Sequence, residues 1–373
     1  MSQAYKNAYN SAEKVFLNYL TDRKDFIDSV GQENWDPERP EIKNELSEII
    51  LLGVSGGADS LALAAVMSKV AHKYKFKTAA IIVDHQMQKD SDKVAEKAVE
   101  MARKAGVDYT KKVPVKVNVK AYGPEGSARF VRYVAFLNAT EEFKTLSVFL
   151  GHTLNDQAET VLLGLARGSG TTAISGMREQ SGLFWRPFLD ITRRETEEIC
   201  KELDLAYYND PTNGSLDKID KNYPLRSQIR HTLLPVMREV LGKDVERQLA
   251  KTAQLVGDDD ETLDTLAELD FAEIVLDEPT NSVVKLDVSV LSSYPKGISS
   301  RFIKIALDNL DMDMSRLLNA HFEQIYELIY NFKGQKPLNL PHISVFRIGE
   351  SLIFKKVGEY KKSKFGKQKV NLK

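Results

Sequence analysis

Two short segments bring together residue types that bind phosphates and move protons. The first is Ser-Gly-Gly-Ala-Asp-Ser at residues 55–60, directly after an apolar run. Its glycines allow backbone N–H groups to close around an anion, its serines add hydroxyl donors, and a helix that starts near Ser60 points its positive end there. We expect this loop to bind phosphates, with Asp59 coordinating magnesium or positioning the phosphates. The predicted ligands are Ser55, Gly56, Gly57, Ala58, Asp59 and Ser60.

The same turn fits some other glycine-rich motifs and not others. A Walker phosphate loop needs Lys-Ser/Thr where Ala58 and Asp59 stand, and no frame provides the G-x-G-x-x-G of a dinucleotide site. Residues 53–57 do satisfy G-x-S-x-G, which would make Ser55 the nucleophile of a serine hydrolase. That elbow normally follows several strands, whereas this turn ends the first strand. A purely structural alternative is that Asp59 and Ser60 cap a helix over residues 61–74.

The second segment, residues 150–170, carries three titratable side chains close together. On a helix with about 100° per residue, His152, Asp156 and Glu159 fall on the side opposite an apolar stripe. The alternatives are a solvated helix face, or a Thr153–Asp156 capping box that would explain the aspartate alone. The segment ends in Arg167-Gly168-Ser169-Gly170, a cationic turn suited to a phosphate. The predicted stripe consists of Ala158, Val161, Leu162 and Leu165.

The elements around these segments predict an α/β fold. From Ile49 onward, short β-branched runs alternate with longer helical stretches, which is typical of a doubly wound parallel sheet that binds ligands at the carboxyl ends of its strands. Strands are predicted at residues 49–54, 78–85 and 113–119. A helix over about 4–29 precedes the sheet, helical runs follow residue 215, and a β-hairpin around Gly349 precedes a lysine-rich tail. We therefore expect four parts: 1–48, 49–220, 221–334 and 335–373.

Composition excludes several classes of protein. Hydrophobic residues at 42% and charged residues at 28% are typical of an ordinary globular chain. The formal charge of -1 means that a nucleic-acid surface would have to be a local patch. The only cysteine, Cys200, excludes disulfides within the chain and cysteine-pair metal sites. The amino terminus is unlike a signal peptide and no apolar run is long enough to span a membrane, so we expect a cytoplasmic protein.

Several motifs together resemble those of the bacterial tRNA(Ile)-lysidine synthetase family. They are the loop at residues 55–60, the string GHTLNDQAETVLLGLARGSG from Gly151, and RPFL from Arg186. Further similar strings are NDPTN from Asn209, ARFVRY from Ala128 and LRSQIRH from Leu225. The resemblance covers about residues 49–235. It implies the fold of the ATP pyrophosphatases, whose S-G-G-x-D-S loop holds the pyrophosphate of ATP.

The resemblance also implies a two-step reaction on the wobble cytidine of a CAU-anticodon isoleucine tRNA. ATP, with Mg²⁺, adenylates the C2 oxygen of the base, and the side-chain amine of free L-lysine then displaces AMP. Lysine would bind Asp156 and Glu159, with His152 a further candidate for the base, and the nucleoside of ATP would lie at Asp84 and His85. A homodimer is possible. The predicted contacts with tRNA or adenylate are Arg129, Arg132, Arg167, Arg226 and Arg230.

The sequence departs from the family pattern at four positions. Asn155 stands where many members carry an acid, Thr153 replaces a histidine, Gln88 replaces an arginine, and Ser227 replaces an asparagine. Two other functions stay open: a tRNA-thiolating enzyme, which generally needs cysteine pairs, and a nucleotide-binding module without catalysis. The tail from Phe354, with eight lysines and one glutamate, is either an RNA contact or a solvated terminus.

Overall fold

The central element of the fold is a six-stranded sheet. The computed structural model describes residues 1–32, 46–86, 91–116, 123–168, 170–209, 224–312 and 319–357, and the chain divides into two compact units at residue 255. In the first unit the strand order is β3-β2-β1-β4-β6-β5, parallel except for β5. The strands are β1 (Ile49–Gly53), β2 (Lys77–Asp84), β3 (Tyr109–Pro114), β4 (Val148–Leu150), β5 (Gln180–Ser181) and β6 (Phe184–Trp185).

Helices cover both faces of this sheet, which confirms the predicted doubly wound arrangement. Ile50 and Leu52 of β1 pack into a core with the first and second helices, whereas Leu51 points to the other face and packs with the fourth. Burial on both faces explains why β1 is apolar throughout. The helices are α1 (Gln3–Gln32), α2 (Ala58–Lys73), α3 (Ser91–Lys104), α4 (Gly123–Phe143), α5 (Leu154–Ala166), α6 (Thr171–Ile174), α7 (Arg193–Glu202), α8 (Leu225–Gln228) and α9 (Leu234–Leu241), with a π-helical turn at Ile229–Leu233.

The strand order changes direction at β1: β2 and β3 are added on one side of β1, and β4 is added on the other side. The connection after β1 leads to β2 on one side, while β4 pairs with β1 on the other side. The loops after these two strands therefore lie next to each other at the carboxyl edge, where open α/β sheets bind ligands. The two segments singled out in the sequence, residues 55–60 and 150–170, begin in these two loops.

Helix α1 is part of the first unit's core. Its Phe16 and Tyr19 side chains are buried and make ring contacts with Phe76 and Phe149. Each such aromatic side chain contributes about 1.5–3 kcal/mol by leaving water. Residues 33–45 lie outside the described part of the chain.

Two predicted boundaries were wrong. The third strand ends at Pro114, so the strand predicted at residues 113–119 begins too late. Because β3 is an edge strand, its polar residues 109–112 are tolerated, and the apolar pattern alone did not reveal them. The helix predicted at 61–74 begins at Ala58 with Gly57 at its N-cap. Asp59 and Ser60 therefore lie inside its first turn and do not cap it.

The second unit pairs helices with an antiparallel sheet of order β7-β10-β9-β8. The predicted hairpin around Gly349 is β9–β10, and the sheet is larger because β7 and β8 flank it. Among the described residues, every helix is too short or too polar to cross a membrane. The elements are α10 (Val245–Ile274, which contains the boundary between the units), β7 (Val283–Asp287), α11 (Val288–Ser293), α12 (Lys296–Asp308), α13 (Asn319–Tyr330), β8 (Leu338–Leu340), β9 (Ile343–Ile348) and β10 (Ser351–Lys356).

Candidate active site

The glycine loop between β1 and α2 is held by its own serines. The N–H of Ser55 donates to Ser60 Oγ at 3.1 Å, and Ser60 Oγ donates to the Gly57 carbonyl at 2.9 Å. Gly56 has a φ of +85°, and a Cβ there would lie 3.0 Å from the Cβ of Ala98. The left-handed conformation and the close approach both require glycine at position 56. The loop is thus a tight turn leading directly into the amino end of α2.

Among the described residues, Ser55 lacks the partner that a hydrolase nucleophile needs. Its hydroxyl lies 3.2 Å from the hydroxyl of Ser60. A serine nucleophile is normally activated by an adjacent general base. Within the described residues no histidine is bonded to Ser55, so the geometry does not favour the serine-hydrolase interpretation.

The loop after β4 packs directly against the start of α2. A Cβ on Gly151 would lie 2.9 Å from the carbonyl oxygen of Asp59, so only glycine allows this approach. Thr153 then begins α5: its N–H and its hydroxyl both donate to Asp156 Oδ2, at 2.9 and 3.1 Å. The predicted capping box is confirmed. His152 precedes the helix and is not on its face.

Five charged side chains form a continuous chain of ion pairs at this edge of the sheet, which we call the charge ladder: Asp59, Arg193, Asp156, Arg230 and Glu159. The Arg193 guanidinium lies 3.3 Å from Asp59 Oδ2 and 3.4 Å from Asp156 Oδ1. Arg230 Nη2 lies 3.6 Å from Asp156 Oδ1, and Arg230 Nε lies 2.6 Å from Glu159 Oε1. The three predicted catalytic carboxylates are thereby linked through two arginines.

The first turn of α7 supplies the partners of Asp59. The hydroxyl of Thr196 donates to Asp59 Oδ1 at 2.5 Å, while Arg193 contacts the other oxygen. Burial raises the pKa of Asp59, and the Arg193 charge and the Thr196 hydrogen bond oppose that rise. This carboxylate is therefore oriented by two groups from a helix far along the sequence.

The two carboxylates of α5 have different environments. Burial raises the pKa of the fully buried Glu159, although Arg230 opposes the rise through a bidentate contact of 2.6 and 3.1 Å. Burial also acts to raise the pKa of Asp156, but the Arg193 charge and the Thr153 N–H outweigh it and hold that pKa below its ordinary value. Asp156 is thus the more strongly ionised of the pair.

A group of cationic side chains lies near the two histidines. Burial lowers the pKa of His152 to about 4, and Arg129 and Arg132 add to the shift. Burial likewise lowers the pKa of His85 to about 4, again with a contribution from Arg132. The Nδ1 atom of each ring is buried and has no hydrogen-bond partner among the described residues. Both histidines are therefore neutral near pH 7.

The other predicted site residues are more scattered. Asp84, at the end of β2, is buried and accepts the N–H of Gln86 at 3.0 Å. Arg129 stacks on Tyr133 and donates to its hydroxyl at 3.2 Å. Arg167 is exposed at the far end of α5, and Arg226 is half-buried on α8. Gln88, Ser169 and residues 210–213 lie outside the described part of the chain.

The predicted apolar stripe on α5 was partly wrong. Leu165 is 51% exposed, whereas Leu163, which is not part of the predicted stripe, is buried. Leu163 packs with Ile229 and Leu234, which follow much later in the sequence. Because α5 is enclosed on more than one face, its periodicity did not separate core from solvent.

Sequence reasoning missed Arg193 and Thr196. A signal for them exists in Thr192-x-x-Glu195, a capping box that begins α7: the Thr192 N–H and hydroxyl donate to Glu195 Oε2 at 2.9 and 2.8 Å. The box predicts a helix start but not what the helix faces. The N–H of Arg193 is further fixed by Asn155 Oδ1 at 2.9 Å, so the residue that departs from the family pattern anchors α7.

Comparison with known proteins agrees with this architecture. A family model described as the PP-loop domain matches residues 38–237. The tRNA(Ile)-lysidine synthase of Leifsonia xyli is 38% identical over 307 residues, covering 82% of this chain and 89% of that protein. The corresponding protein of Streptomyces coelicolor is 38% identical over 296 residues, covering 79% and 81%. That of Thermobifida fusca is 34% identical over 293 residues, covering 79% and 87%.

A weaker likeness is to the solved structure of a U34-tRNA thiolase from Methanococcus maripaludis with its 4Fe–4S cluster. It has a TM-score of 0.46 and 16% identity, covering 57% of this chain and 74% of that chain. The match to the PP-loop model and the identity to the relatives over most of their length are the stronger findings. On these grounds the chain belongs to the tRNA(Ile)-lysidine synthase family of PP-loop proteins.

Proposed function

We propose that this protein ligates free L-lysine to C2 of the wobble cytidine in CAU-anticodon isoleucine tRNA, with ATP converted to AMP and pyrophosphate. The observation that carries the proposal is the charge ladder, which joins the aspartate of the glycine loop to the two acids of α5. A ligase of this kind needs a phosphate site and an ammonium site that both lie within reach of the same cytidine. The adjacent loops after β1 and β4 meet that requirement.

In the first step, the C2 oxygen of the cytidine attacks the α-phosphorus of ATP and pyrophosphate leaves. Residues 55–60 bind the pyrophosphate through backbone N–H groups and serine hydroxyls. Asp84 and His85, at the end of β2, contact the nucleoside. The pKa of His85, lowered to about 4, keeps this ring uncharged, so it can donate or accept a hydrogen bond to the nucleoside.

Magnesium fits the carboxylate of Asp59. Mg²⁺ in nucleotide enzymes is usually held by one or two carboxylates together with substrate phosphates, so a single acid beside the phosphate loop is sufficient. Bound there, the ion would neutralise charge on the phosphates.

In the second step, the amine of lysine attacks C2, the bond from C2 to the adenylate oxygen breaks, and AMP leaves. Asp156 and Glu159 bind the ammonium form through charge-assisted hydrogen bonds. The attacking amine must first lose a proton. Glu159 is the stronger base because burial raises its pKa, whereas the pKa of His152 is lowered to about 4.

Arginines near the site are proposed to contact the nucleic acid. Arg129 and Arg132 lie on α4, and their charges act on His152. An adenylate or RNA phosphate bound near them would therefore be close to the reacting cytidine. Arg226, Arg167 and the lysine-rich tail are further proposed contacts, and residues 358–373 of the tail lie outside the described part of the chain. Cytoplasmic location is part of the same proposal.

Sulfur transfer, the nearest alternative chemistry on this fold, is disfavoured by Cys200. It is the only cysteine of the chain. Its side chain is fully buried, and burial raises its pKa to about 12. A thiol that stays protonated and inaccessible is a poor nucleophile.

The test is incubation of the protein with ATP, Mg²⁺, labelled lysine and in-vitro transcribed CAU-anticodon isoleucine tRNA, followed by nucleoside mass analysis. We expect a cytidine that has gained lysine minus water. A matched transcript with a GAU anticodon serves as the substrate control and should stay unmodified. Release of pyrophosphate without lysine in the RNA would contradict the proposed substrate.

A further inference from the structure

Arg193 is held more loosely than Arg230, the other arginine of the charge ladder. Its guanidinium makes one contact to Asp59 at 3.3 Å and one to Asp156 at 3.4 Å. Arg230, by comparison, holds Glu159 in two contacts of 2.6 and 3.1 Å. The backbone of Arg193 is fixed by Asn155, and its side chain retains 27% exposure. The guanidinium can therefore change partners without moving α7.

The position of Arg193 conflicts with the ligand proposed for Asp156. One oxygen of Asp156 accepts two hydrogen bonds from Thr153, and the other faces Arg193 and Arg230. An ammonium group that binds Asp156 must share this second oxygen with the two arginines. Like charges at such distances repel, so lysine and Arg193 compete for the same carboxylate.

The net charge of the ladder indicates what relieves this competition. Three carboxylates and two guanidinium groups give a formal charge of −1. If Arg193 turned away, the remaining members would carry −2 and would attract a cation more strongly. The phosphate groups of ATP are the bidentate acceptors that a guanidinium prefers, and the phosphate loop begins beside Asp59, its other partner.

We propose that Arg193 couples the two substrates: it occupies Asp156 until the phosphates of ATP draw its guanidinium away, and only then does lysine bind well. This inference rests on the proposed function and adds an order of binding to it. Lysine would enter after ATP, an order that suits adenylation followed by amine attack. By linkage, lysine must tighten the binding of ATP by the same factor.

A purely bracing role for Arg193 predicts the opposite sign. If the guanidinium only oriented Asp59 and Asp156, its removal would loosen both acids and weaken lysine binding in every state. If it competes with lysine, its removal strengthens lysine binding to the protein without nucleotide. The sign of this one change separates the two roles.

The experiment is calorimetric titration of lysine into the full chain, with and without Mg²⁺ and an ATP analogue whose α–β bridge is methylene. Coupling free energies between sites typically correspond to about 5–150-fold in affinity, and we expect about tenfold tighter lysine binding with the analogue in the wild type. In Arg193→Met, lysine should bind the nucleotide-free protein about tenfold more tightly than wild type does, and the analogue should add little.

Arg194→Met is the matched control. Arg194 is the next residue on α7, is 88% exposed and, among the described residues, pairs with Glu198 at 3.0 Å, so its removal should leave both affinities unchanged. Thermal unfolding checks that each variant folds. If Arg193→Met does not fold, Arg193→Gln provides the same comparison.

Three results would overturn the inference. Wild-type lysine affinity that is indifferent to the analogue would remove the coupling and leave the proposed function intact, as would weaker lysine binding in Arg193→Met. Absence of lysine binding in the wild type under both conditions would instead remove the proposed function together with the inference. The reciprocal titration of analogue, with and without lysine, must return the same factor.

Discussion

Replacing Glu159 with glutamine should destabilise the first unit substantially while leaving its shape intact. Glu159 is fully buried and holds Arg230 through two contacts. Removing one partner of a buried ion pair costs about 3–5 kcal/mol because the other charge is left uncompensated. Arg230 keeps 20% exposure and a second acid, Asp156, at 3.6 Å, so we expect a cost at or just below the bottom of that range, about 2–3 kcal/mol.

The assay is thermal unfolding followed by circular dichroism. For a unit of this size, about 2–4 °C is lost for each kcal/mol, so the midpoint of Glu159→Gln should fall by about 4–12 °C. Glu198→Gln is the matched control, because Glu198 pairs with Arg194 at the surface and such pairs contribute about 0–1 kcal/mol.

A double-mutant cycle sharpens the same test. Arg230→Met alone should also be destabilising, because it leaves Glu159 buried without its main partner. The two changes together should cost clearly less than their sum, since neither charge is then left alone. A midpoint for Glu159→Gln within about 1 °C of wild type would refute the reasoning that this pair is tightly coupled.

Three further predictions concern the loop, α7 and the histidines. Gly56→Ala should cost about 1–2 kcal/mol and weaken ATP binding, because φ at this position is +85°, whereas Gly57→Ala, at a φ of −76°, should be tolerated; equal effects in a denaturation and nucleotide-titration series would contradict this. Thr196→Val should lower stability by about 1–2 kcal/mol and weaken ATP binding, since it removes the hydroxyl that donates a hydrogen bond to Asp59. Unchanged unfolding and ATP-titration curves would count against this prediction. For His152, the pKa of about 4 in the folded state lies below the ordinary 6.5, so its contribution to stability is full above pH 6.5 and is lost as the pH falls towards 4. In His152→Gln, the free energy of urea unfolding should therefore depend less steeply on pH between 6.5 and 4. A pH dependence equal to that of the wild type would refute the burial argument.

Local patterns predicted the parts of the fold that depend on neighbours in sequence. The strand at residues 49–53, the capping box at Thr153 and the hairpin at Gly349 follow from apolar runs, cap spacing and a turn glycine. Edge strand β3 was placed too late, because an edge strand tolerates polar residues that hide its extent. Strand β7 was missed because its pairing with β10 joins distant segments.

The site was predictable in its residue types but not in its connections. The loop at 55–60 and the acids of α5 carry local motifs, and the order of the strands brings them together. Arg193 contacts Asp59 and Asp156 from α7, more than thirty residues after Asp156 in the sequence. Arg230 was predicted to contact the anticodon, and the structure pairs it with Glu159, so its contact with RNA stays a prediction. Such long-range ion pairs leave no periodic signal in one sequence.

The central claim is that one charge ladder serves an ATP subsite at Asp59 and a lysine subsite at Asp156. The most direct test is a single-turnover assay that follows pyrophosphate release and lysine transfer separately, with CAU-anticodon isoleucine tRNA, in Asp59→Asn and Asp156→Asn. The account predicts that Asp59→Asn loses both signals, whereas Asp156→Asn still releases pyrophosphate and transfers no lysine. Lysine transfer by Asp156→Asn at the wild-type rate would contradict the assignment of the lysine subsite.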